Sequence, residues 1–278
     1  MTFVIIVLIL LIFLYYENNK IDISNYKITS NKIKNEDLKI LHLSDLHCKS
    51  FGKNQKYLIK KIKNINPDII VFTGDLISRR VDKEKYINSY LLLEELSKTF
   101  PIYFTTGNHE YKSKALKEVQ EKLTSFGVHV LINNYEKFTI KNTEIFIFGF
   151  DDISNFNESF NKTFNTLDNI KDKLKNSQLN ILLCHRPNFF KKQSSYGFDL
   201  IFSGHAHGGQ FRIPFTHQGI LMPDQGFFPK LTEGIHKDKN STLIISRGLG
   251  NSGFPFRLFN HPEIVVVTLN NRTKFKKS

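Results

Sequence analysis

The chain has 278 residues and 40% of them are apolar, so it is long enough for a domain with a buried core and too long for a peptide module. Its 39 basic and 26 acidic residues give a formal net charge of +13, which excludes an acidic disordered chain and favours phosphate-rich or anionic partners. Two cysteines are too few for a disulfide framework.

An unbroken apolar run, FVIIVLILLIFLYY, occupies residues 3–16. It is shorter than the ~20 residues that cross a bilayer unaided. No lysine or arginine precedes it and no small-x-small cleavage site follows it, which argues against a cleaved signal peptide. Tyr15 and Tyr16 stand where an interfacial aromatic belt would lie. We therefore expect residues 1–16 to form a single-pass membrane anchor. For the domain that follows, the extracytoplasmic side of the membrane is favoured. The alternative is a buried core strand or helix.

Residues 17–37 are polar and are interpreted as a stalk between the anchor and the domain. After them, short apolar runs alternate with segments whose apolar residues recur at helical spacing. This order predicts parallel strands joined by helical crossovers. The predicted strands are 38–43, 68–72 and 102–104, and the predicted helices are 55–66, 83–98 and 113–126.

The second half of the chain introduces antiparallel pairing. Apolar runs at 135–140 and 144–150 flank Lys141-Asn142-Thr143, which predicts a hairpin. We expect one α/β domain over residues 38–278, with a mixed sheet or two packed sheets and helices outside. The other predicted elements are a helix near 166–175, strands at 179–184, 198–202, 211–213, 242–246 and 263–269, and a long loop-like insert at 214–237.

Carboxylate, amide and imidazole side chains follow five of the predicted strands. Because ligands of open α/β sheets gather at the carboxyl ends of the strands, these side chains are predicted to converge. Residues two apart in an extended segment face the same side, so each of the two pairs with that spacing can address one ion. Mixed oxygen and imidazole donors suit Mn, Fe or Zn better than Ca or Mg. The candidates are Asp45, His47, Asp75, Asn108, His109, His185, His205 and His207.

Five short motifs contain these candidate residues: Asp45-x-His47, Gly74-Asp75, Gly107-Asn108-His109-Glu110, His185 and Gly204-His205-x-His207. They resemble the signature of the calcineurin-like metallophosphoesterases. Segments 205–210, 246–250 and 262–264 are similar to those of the bacterial YkuE/YaeI-type phosphodiesterases. The resemblance implies a four-layer α/β/β/α sandwich of two mixed sheets, placed after the N-terminal hydrophobic helix.

The resemblance also implies roles for individual residues. Asp45, His47 and His207 would hold one divalent ion, and Asn108, His185 and His205 would hold the other. Asp75 would bridge the two ions, which are Mn, Zn or Fe. A hydroxide shared by the ions would attack phosphorus, and His109 would act as the catalytic residue at the scissile phosphate.

Two features qualify this assignment. Many relatives have an acid a few residues after the bridging aspartate that orients the catalytic histidine, but this chain has Ser78. Ser78 or another group must then orient His109. Arg247 is a candidate substrate contact, because a guanidinium can grip two phosphate oxygens at once.

The sequence thus predicts a metal-dependent phosphoric ester hydrolase, of the phosphodiesterase type, that acts on a lipid-linked or other envelope phosphate ester. UDP-2,3-diacylglucosamine hydrolase-like cleavage is one candidate reaction. A nuclease or cyclic-nucleotide phosphodiesterase is a competing hypothesis, and so is a non-catalytic envelope protein that retains the metal site. Nucleic acid is not the expected partner, because phosphate-ester chemistry beside an anionic membrane explains the positive charge.

Overall fold

The chain folds into two six-stranded mixed sheets that pack face to face, with helices on both outer faces. The structure is a computed structural model that describes residues 1–34, 36–152, 159–222, 224–251 and 253–271, with only the backbone of 159–163. In chain order the helices are α1 Thr2–Asn19, α2 Lys56–Ile65, α3 Ile87–Ser97, α4 Asn108–Lys112, α5 Leu116–Ser125, α6 Ser159–Ile170 and α7 Phe190–Gln193. The strands are β1 Asp22–Ser30, β2 Leu38–Leu43, β3 Ile69–Thr73, β4 Ile102–Thr105, β5 His129–Val130, β6 Asn134–Ile140, β7 Thr143–Phe150, β8 Leu179–Cys184, β9 Leu200–Ser203, β10 Leu221–Met222, β11 Gly226–Phe227, β12 Gly234–Asp238, β13 Ser241–Ile245 and β14 Glu263–Asn271.

Strand direction brings the predicted site residues to one edge of each sheet. The strand orders are β1-β14-β2-β3-β4-β5 and β12-β13-β9-β8-β7-β6. In the first sheet β2, β3 and β4 are parallel, and in the second β7, β8, β9 and β13 are parallel. The hairpin of β6 and β7 is antiparallel, as the sequence predicts. The predicted class of two mixed sheets with outer helices is confirmed.

Alternation along the strands builds three layers of core. In β3, Ile69 and Val71 face the second sheet, whereas Ile70 and Phe72 face the helices α2, α3 and α5. In β7, Phe146 and Phe148 point outward. There they join buried residues of α6 and α7. Each sheet is therefore covered on both faces, which is the four-layer arrangement.

The prediction of a polar stalk over residues 17–37 is wrong for its central part. Residues 22–30 form β1, which pairs in parallel with β14 along its whole length. Its residues alternate between partly covered and exposed, and Tyr26 and Ile28 pack against the core between the sheets. An edge strand of this kind can be polar on one face, which is why composition alone suggested a stalk.

The N-terminal helix extends past the predicted boundary at residue 16, because α1 ends at Asn19. It has 18 residues with a mean hydropathy of 1.9, which by length and composition is enough to cross a membrane. Its side chains are mostly exposed over residues 1–12, whereas Glu17 is buried against the domain. The helix is thus free at its beginning and docked at its end.

The last third of the chain differs from the prediction in two places. The strand predicted at 211–213 is reduced to single bridges, which join Phe211 to Leu258 and Arg212 to Gly219. The loop-like insert at 214–237 contains the small hairpin of β10 and β11 and most of β12. Residues 272–278, which the sequence assigns to the same domain, lie outside the described residues.

Candidate metal centre

The eight predicted metal and catalytic residues lie together at the carboxyl ends of the strands, and all of them are buried. They come from five loops, after β2, β3, β4, β8 and β9. Three overlapping groups of their ligand atoms each fit within 4.8 Å. The groups are Asp45, His47 and His207; His47, Asp75 and His109; and Asp75, His185 and His205.

The first group matches the set of residues predicted for one ion. Nε2 of His47 lies 3.1 Å from Nε2 of His207. Oδ1 of Asp45 lies 3.2 Å from His207 Nε2 and 3.8 Å from His47 Nε2. Two imidazole nitrogens and a carboxylate oxygen thus face one point, which is the geometry of a cation site.

The second set shares a carboxylate with the first. Nδ1 of His205 lies 3.1 Å from Nε2 of His185, and Oδ2 of Asp75 lies 3.2 Å from the same His185 nitrogen. Oδ2 of Asp75 is also 3.6 Å from Nε2 of His47. One oxygen of Asp75 therefore faces both imidazole groups.

Asn108 provides an observation that tests whether a cation fits here. Its Oδ1 is buried and has no hydrogen-bond partner within the described part of the chain. A buried carbonyl oxygen without a partner costs free energy, and a cation would remove that cost. The surrounding donors are imidazole nitrogens and carboxylate oxygens, a set that Mn, Fe and Zn accept. The residues therefore fit divalent ions.

The ligand imidazoles are held by partners on their far side. Nδ1 of His185 donates to the carbonyl of Thr73 at 2.7 Å, so Nε2 is the ring nitrogen that faces Asp75. Nε2 of His205 lies 3.0 Å from Oδ2 of Asp224, which places the proton on Nε2 and leaves Nδ1 facing His185. Such outer partners fix the tautomer and orientation of metal-ligating histidines. No local pattern in the sequence indicates that Asp224, a carboxylate in the insert, would bond the imidazole of His205.

His109 is oriented by the backbone. The N–H of Arg79 donates to Nδ1 of His109 at 3.2 Å. The neutral ring therefore carries its proton on Nε2. A main-chain amide thus orients His109 where Ser78 replaces an acid, and no side-chain motif reveals such a group.

Glu110 supports the loops from beneath. Its carboxylate accepts the backbone N–H groups of Asp75, Ile77 and Gly107, at 3.0, 3.2 and 2.8 Å. One side chain thus ties the loop after β3 to the start of α4. Burial and the neighbouring Asp75 raise the pKa of Glu110 to about 8, although the three N–H groups favour its charged form.

Charge is concentrated in this buried cluster. Burial opposes ionisation of Asp45 and Asp75, but the imidazoles of His207 and His185 outweigh it and hold the pKa values of both carboxyls below their usual range. Burial lowers the pKa of His47, and it lowers that of His109 to about 4. Burial opposes the charged form of His185, but the carboxylate of Asp75 outweighs it and raises the pKa of His185 to about 10. A divalent ion would therefore have to displace the proton of His185, which makes metal binding dependent on pH.

Backbone strain is concentrated at the same residues. Five of the predicted ligands have positive φ, although none is a glycine: Asp45, His47, Asp75, His205 and His207. Each such residue costs about 1–3 kcal/mol and persists only where surrounding structure enforces it. These conformations turn the backbone sharply at the ends of the strands, so that the ligand atoms of the loops come together.

Gly74 offers a test of this packing. It has φ +80, and a Cβ added there would lie 2.3 Å from the backbone nitrogen of Gly107. Gly127 has φ +81 with nothing within 4 Å, so it is a matched control. Gly127→Ala should cost about 1–2 kcal/mol from backbone strain alone. Gly74→Ala should cost a further ~1–3 kcal/mol and most of the activity. Thermal unfolding would measure both, and equal losses would contradict the close packing.

Three carboxylates surround Arg247, the residue predicted to contact substrate. Its guanidinium lies 3.2 Å from Glu263, 3.4 Å from Glu233 and 3.5 Å from Asp22. Carboxylates already balance its charge, and this placement argues against a phosphate contact. Two other arginines reach the cluster. Arg257 is fully buried, with Nη2 3.3 Å from Nδ1 of His207, and Nη1 of Arg186 lies 3.2 Å from Nε2 of His205.

Comparison with known proteins agrees with this geometry. Residues 38–209 match the family described as calcineurin-like phosphoesterase. The chain belongs to this family. It is 30% identical over 262 residues to the metallophosphoesterase YkuE of Bacillus subtilis (strain 168). The aligned residues cover 92% of this chain and 88% of YkuE. This chain is therefore a metal-dependent phosphoric ester hydrolase.

Two further relatives extend the comparison. A Danio rerio protein named as a transmembrane protein with a metallophosphoesterase domain is 28% identical over 240 residues, covering 84% of this chain and 53% of that protein. The crystal structure of TT1561 of Thermus thermophilus superposes with a TM-score of 0.51 at 11% identity, covering 77% of this chain and 91% of that one. This last likeness shows the fold alone.

Proposed function

We propose that this calcineurin-like phosphoesterase is a membrane-anchored phosphodiesterase that uses two divalent ions, Mn, Zn or Fe, and acts on a lipid-linked phosphate ester. The observation that carries the two-ion proposal is the position of Asp75. Its Oδ2 faces His47 of one group and His185 of the other, at 3.6 and 3.2 Å. A single oxygen between two sets of ligands supports a pair of ions rather than one.

The roles of the residues follow from this arrangement. Asp45, His47 and His207 would hold one ion, Asn108, His185 and His205 the other, and Asp75 both. When bound, such ions activate a water as nucleophile and offset the charge of the phosphate. The protein contributes the rigid placement of the ligands, which is supported by the hydrogen bonds that Glu110, Thr73 and Asp224 accept.

His109 would serve as a hydrogen-bond donor to the reacting phosphate. Its Nδ1 is occupied by the amide of Arg79, so Nε2–H is the group left to donate. Donation to an ester oxygen stabilises the negative charge that develops in the transition state. His109 also lies within ligand distance of His47 and Asp75, so a metal-ligand role is the competing interpretation.

An apolar cavity beside the cluster supports a lipid-linked substrate. It has a volume of about 220 Å³. His207 lines it, together with Leu221, Met222 and Phe254, and Arg80 is also part of the lining. A hydrophobic chain fits such a lining, and a guanidinium suits the phosphate that the chain would carry.

The helix α1 supports the membrane anchor. Its side chains over residues 1–12 are exposed and apolar, a surface that water disfavours and a bilayer accepts. The full chain should therefore stay in the membrane fraction after an alkaline carbonate wash. A chain lacking residues 1–16 should be released, and its retention after the wash would contradict the anchor.

Metal analysis of the purified chain, followed by a hydrolysis panel, tests the activity. The panel should contain bis(p-nitrophenyl) phosphate, its monoester, cyclic nucleotides and phospholipids, with Mn or Zn. We expect two ions per chain and faster hydrolysis of diesters than of the monoester. Preferential hydrolysis of cyclic nucleotides would instead favour a nucleotide phosphodiesterase. No hydrolysis with both ions bound would favour a non-catalytic protein.

A further inference from the structure

Exposed phenylalanines are concentrated in the loops beside the metal-residue cluster. Phe215 is fully exposed at a turn and Phe227 is 73% exposed in β11. Globular domains ordinarily bury this residue type, and a group of exposed ones marks an interaction surface. We call this group the phenylalanine rim; its members are Phe215, Phe227, Phe228, Phe254 and Phe259.

Backbone hydrogen bonds join the loops of the rim into one surface. The N–H of Arg212 donates to the carbonyl of Leu258 at 3.1 Å. The N–H of Ile220 donates to Phe211 at 2.8 Å, and the N–H of Phe228 donates to Ile220 at 2.9 Å. The three loops are therefore fixed relative to one another.

The rim is continuous with the end of α1. The rings of Phe13 and Phe259 lie 5.8 Å apart. Oδ1 of Asn18 accepts the N–H of Arg257 at 2.9 Å and the side-chain amide of Asn251 at 3.0 Å. The helix is thus attached to the loop that carries Phe259, and it cannot swing freely relative to the rim.

This attachment fixes which surface faces the membrane. The continuous exposed part of α1 ends at Ile12, next to the contact of Phe13 with Phe259, so a bilayer that surrounds the helix would reach the rim at that point. Arg257, which bonds Asn18, also approaches the ligand His207. The metal residues are consequently close to the membrane end of the domain.

We propose that the phenylalanine rim is a membrane-docking surface, which lies among the lipid headgroups and turns the cavity beside His207 toward the bilayer. The inference rests on the membrane anchor proposed above. Aromatic side chains suit the interface between headgroups and acyl chains. The exposed Lys230, two residues after Phe228, would meet anionic headgroups.

The absence of tryptophan from the chain makes a direct test available. The full chain would carry one tryptophan, at Phe215→Trp or Phe227→Trp, in vesicles of phosphatidylcholine and phosphatidylglycerol with acyl chains brominated near the headgroup. The control is Thr139→Trp, an exposed position beside the β6–β7 turn, at the opposite edge of the sheet from the site. Bromine quenches only tryptophan that it contacts.

We expect the two rim tryptophans to be quenched several-fold more strongly than the control. Flotation with the vesicles shows separately whether the anchor inserts. If the chain floats and both rim tryptophans are quenched no more than the control, docking is refuted while the anchor stands. Hydrolysis of bis(p-nitrophenyl) phosphate by the same samples reports the proposed activity independently of the quenching.

Discussion

Replacing Asp75 by Asn should remove bound metal and hydrolysis together. The substitution keeps the shape of the side chain and the acceptor for the N–H of His109, which lies 2.7 Å from Oδ1. It removes the negative charge that faces both imidazole groups. Turnover should fall by roughly 10³-fold or more, because charge stabilisation by the ions contributes most of the rate acceleration in such a reaction. Metal analysis and steady-state kinetics would measure both effects.

Asp224→Asn is the matched control for this prediction. Asp224 contacts Nε2 of the ligand His205 and is also paired with Arg186, so its loss should weaken metal affinity by about 10–100-fold. Excess metal should then restore much of the activity of Asp224→Asn but not that of Asp75→Asn. Full metal occupancy in Asp75→Asn would show that this carboxylate does not hold the ions.

The second large effect is expected at His109. His109→Ala should lower kcat by about 10²–10⁴-fold while the metal content stays the same, because the ring is expected to donate to substrate and not to bind an ion. The ring of His109 lies edge-on to that of His47, with 4.5 Å between the ring centroids, so it stands beside the predicted ligands. Metal analysis with kinetics on the same sample separates the two roles.

The competing result for His109 has a clear form. If the ring is a ligand with His47 and Asp75, metal content and turnover should fall in the same proportion. His109→Asn adds a comparison, because an amide can donate a hydrogen bond and should recover part of the lost turnover. Equal activities of the Ala and Asn variants would argue against donation by this side chain.

The site was more predictable from sequence than the parts that support it. Short apolar strands followed by Asp75 or His185 are local patterns, and parallel strands bring such residues to one edge without further information. The orientation of His109 comes from the main-chain amide of Arg79, which every residue type except proline possesses. No side-chain pattern can therefore reveal it.

The features that the sequence did not reveal depend on residues that are distant along the chain. The strand β1 was interpreted as a stalk because its partner β14 lies at the other end of the chain, and local composition carries no record of a distant partner. The sequence indicates Arg247 as a candidate phosphate contact and gives no reason to single out Arg257. Only the fold shows that Asp22, Glu233 and Glu263 surround the first, while the second is buried against His207.

The pairing of β1 with β14 has a consequence for biosynthesis. Ser24 of β1 bonds Glu263 of β14 across 239 residues of sequence, and β14 separates β1 from β2 in the sheet. Strand β1 therefore has no neighbour in the sheet until β14 has been made. Because α1 precedes β1 directly, the chain would wait at the membrane with an open sheet edge, a state that invites aggregation. We expect the first sheet to be completed only after β14 has been synthesised, and the domain to need a chaperone most before that step.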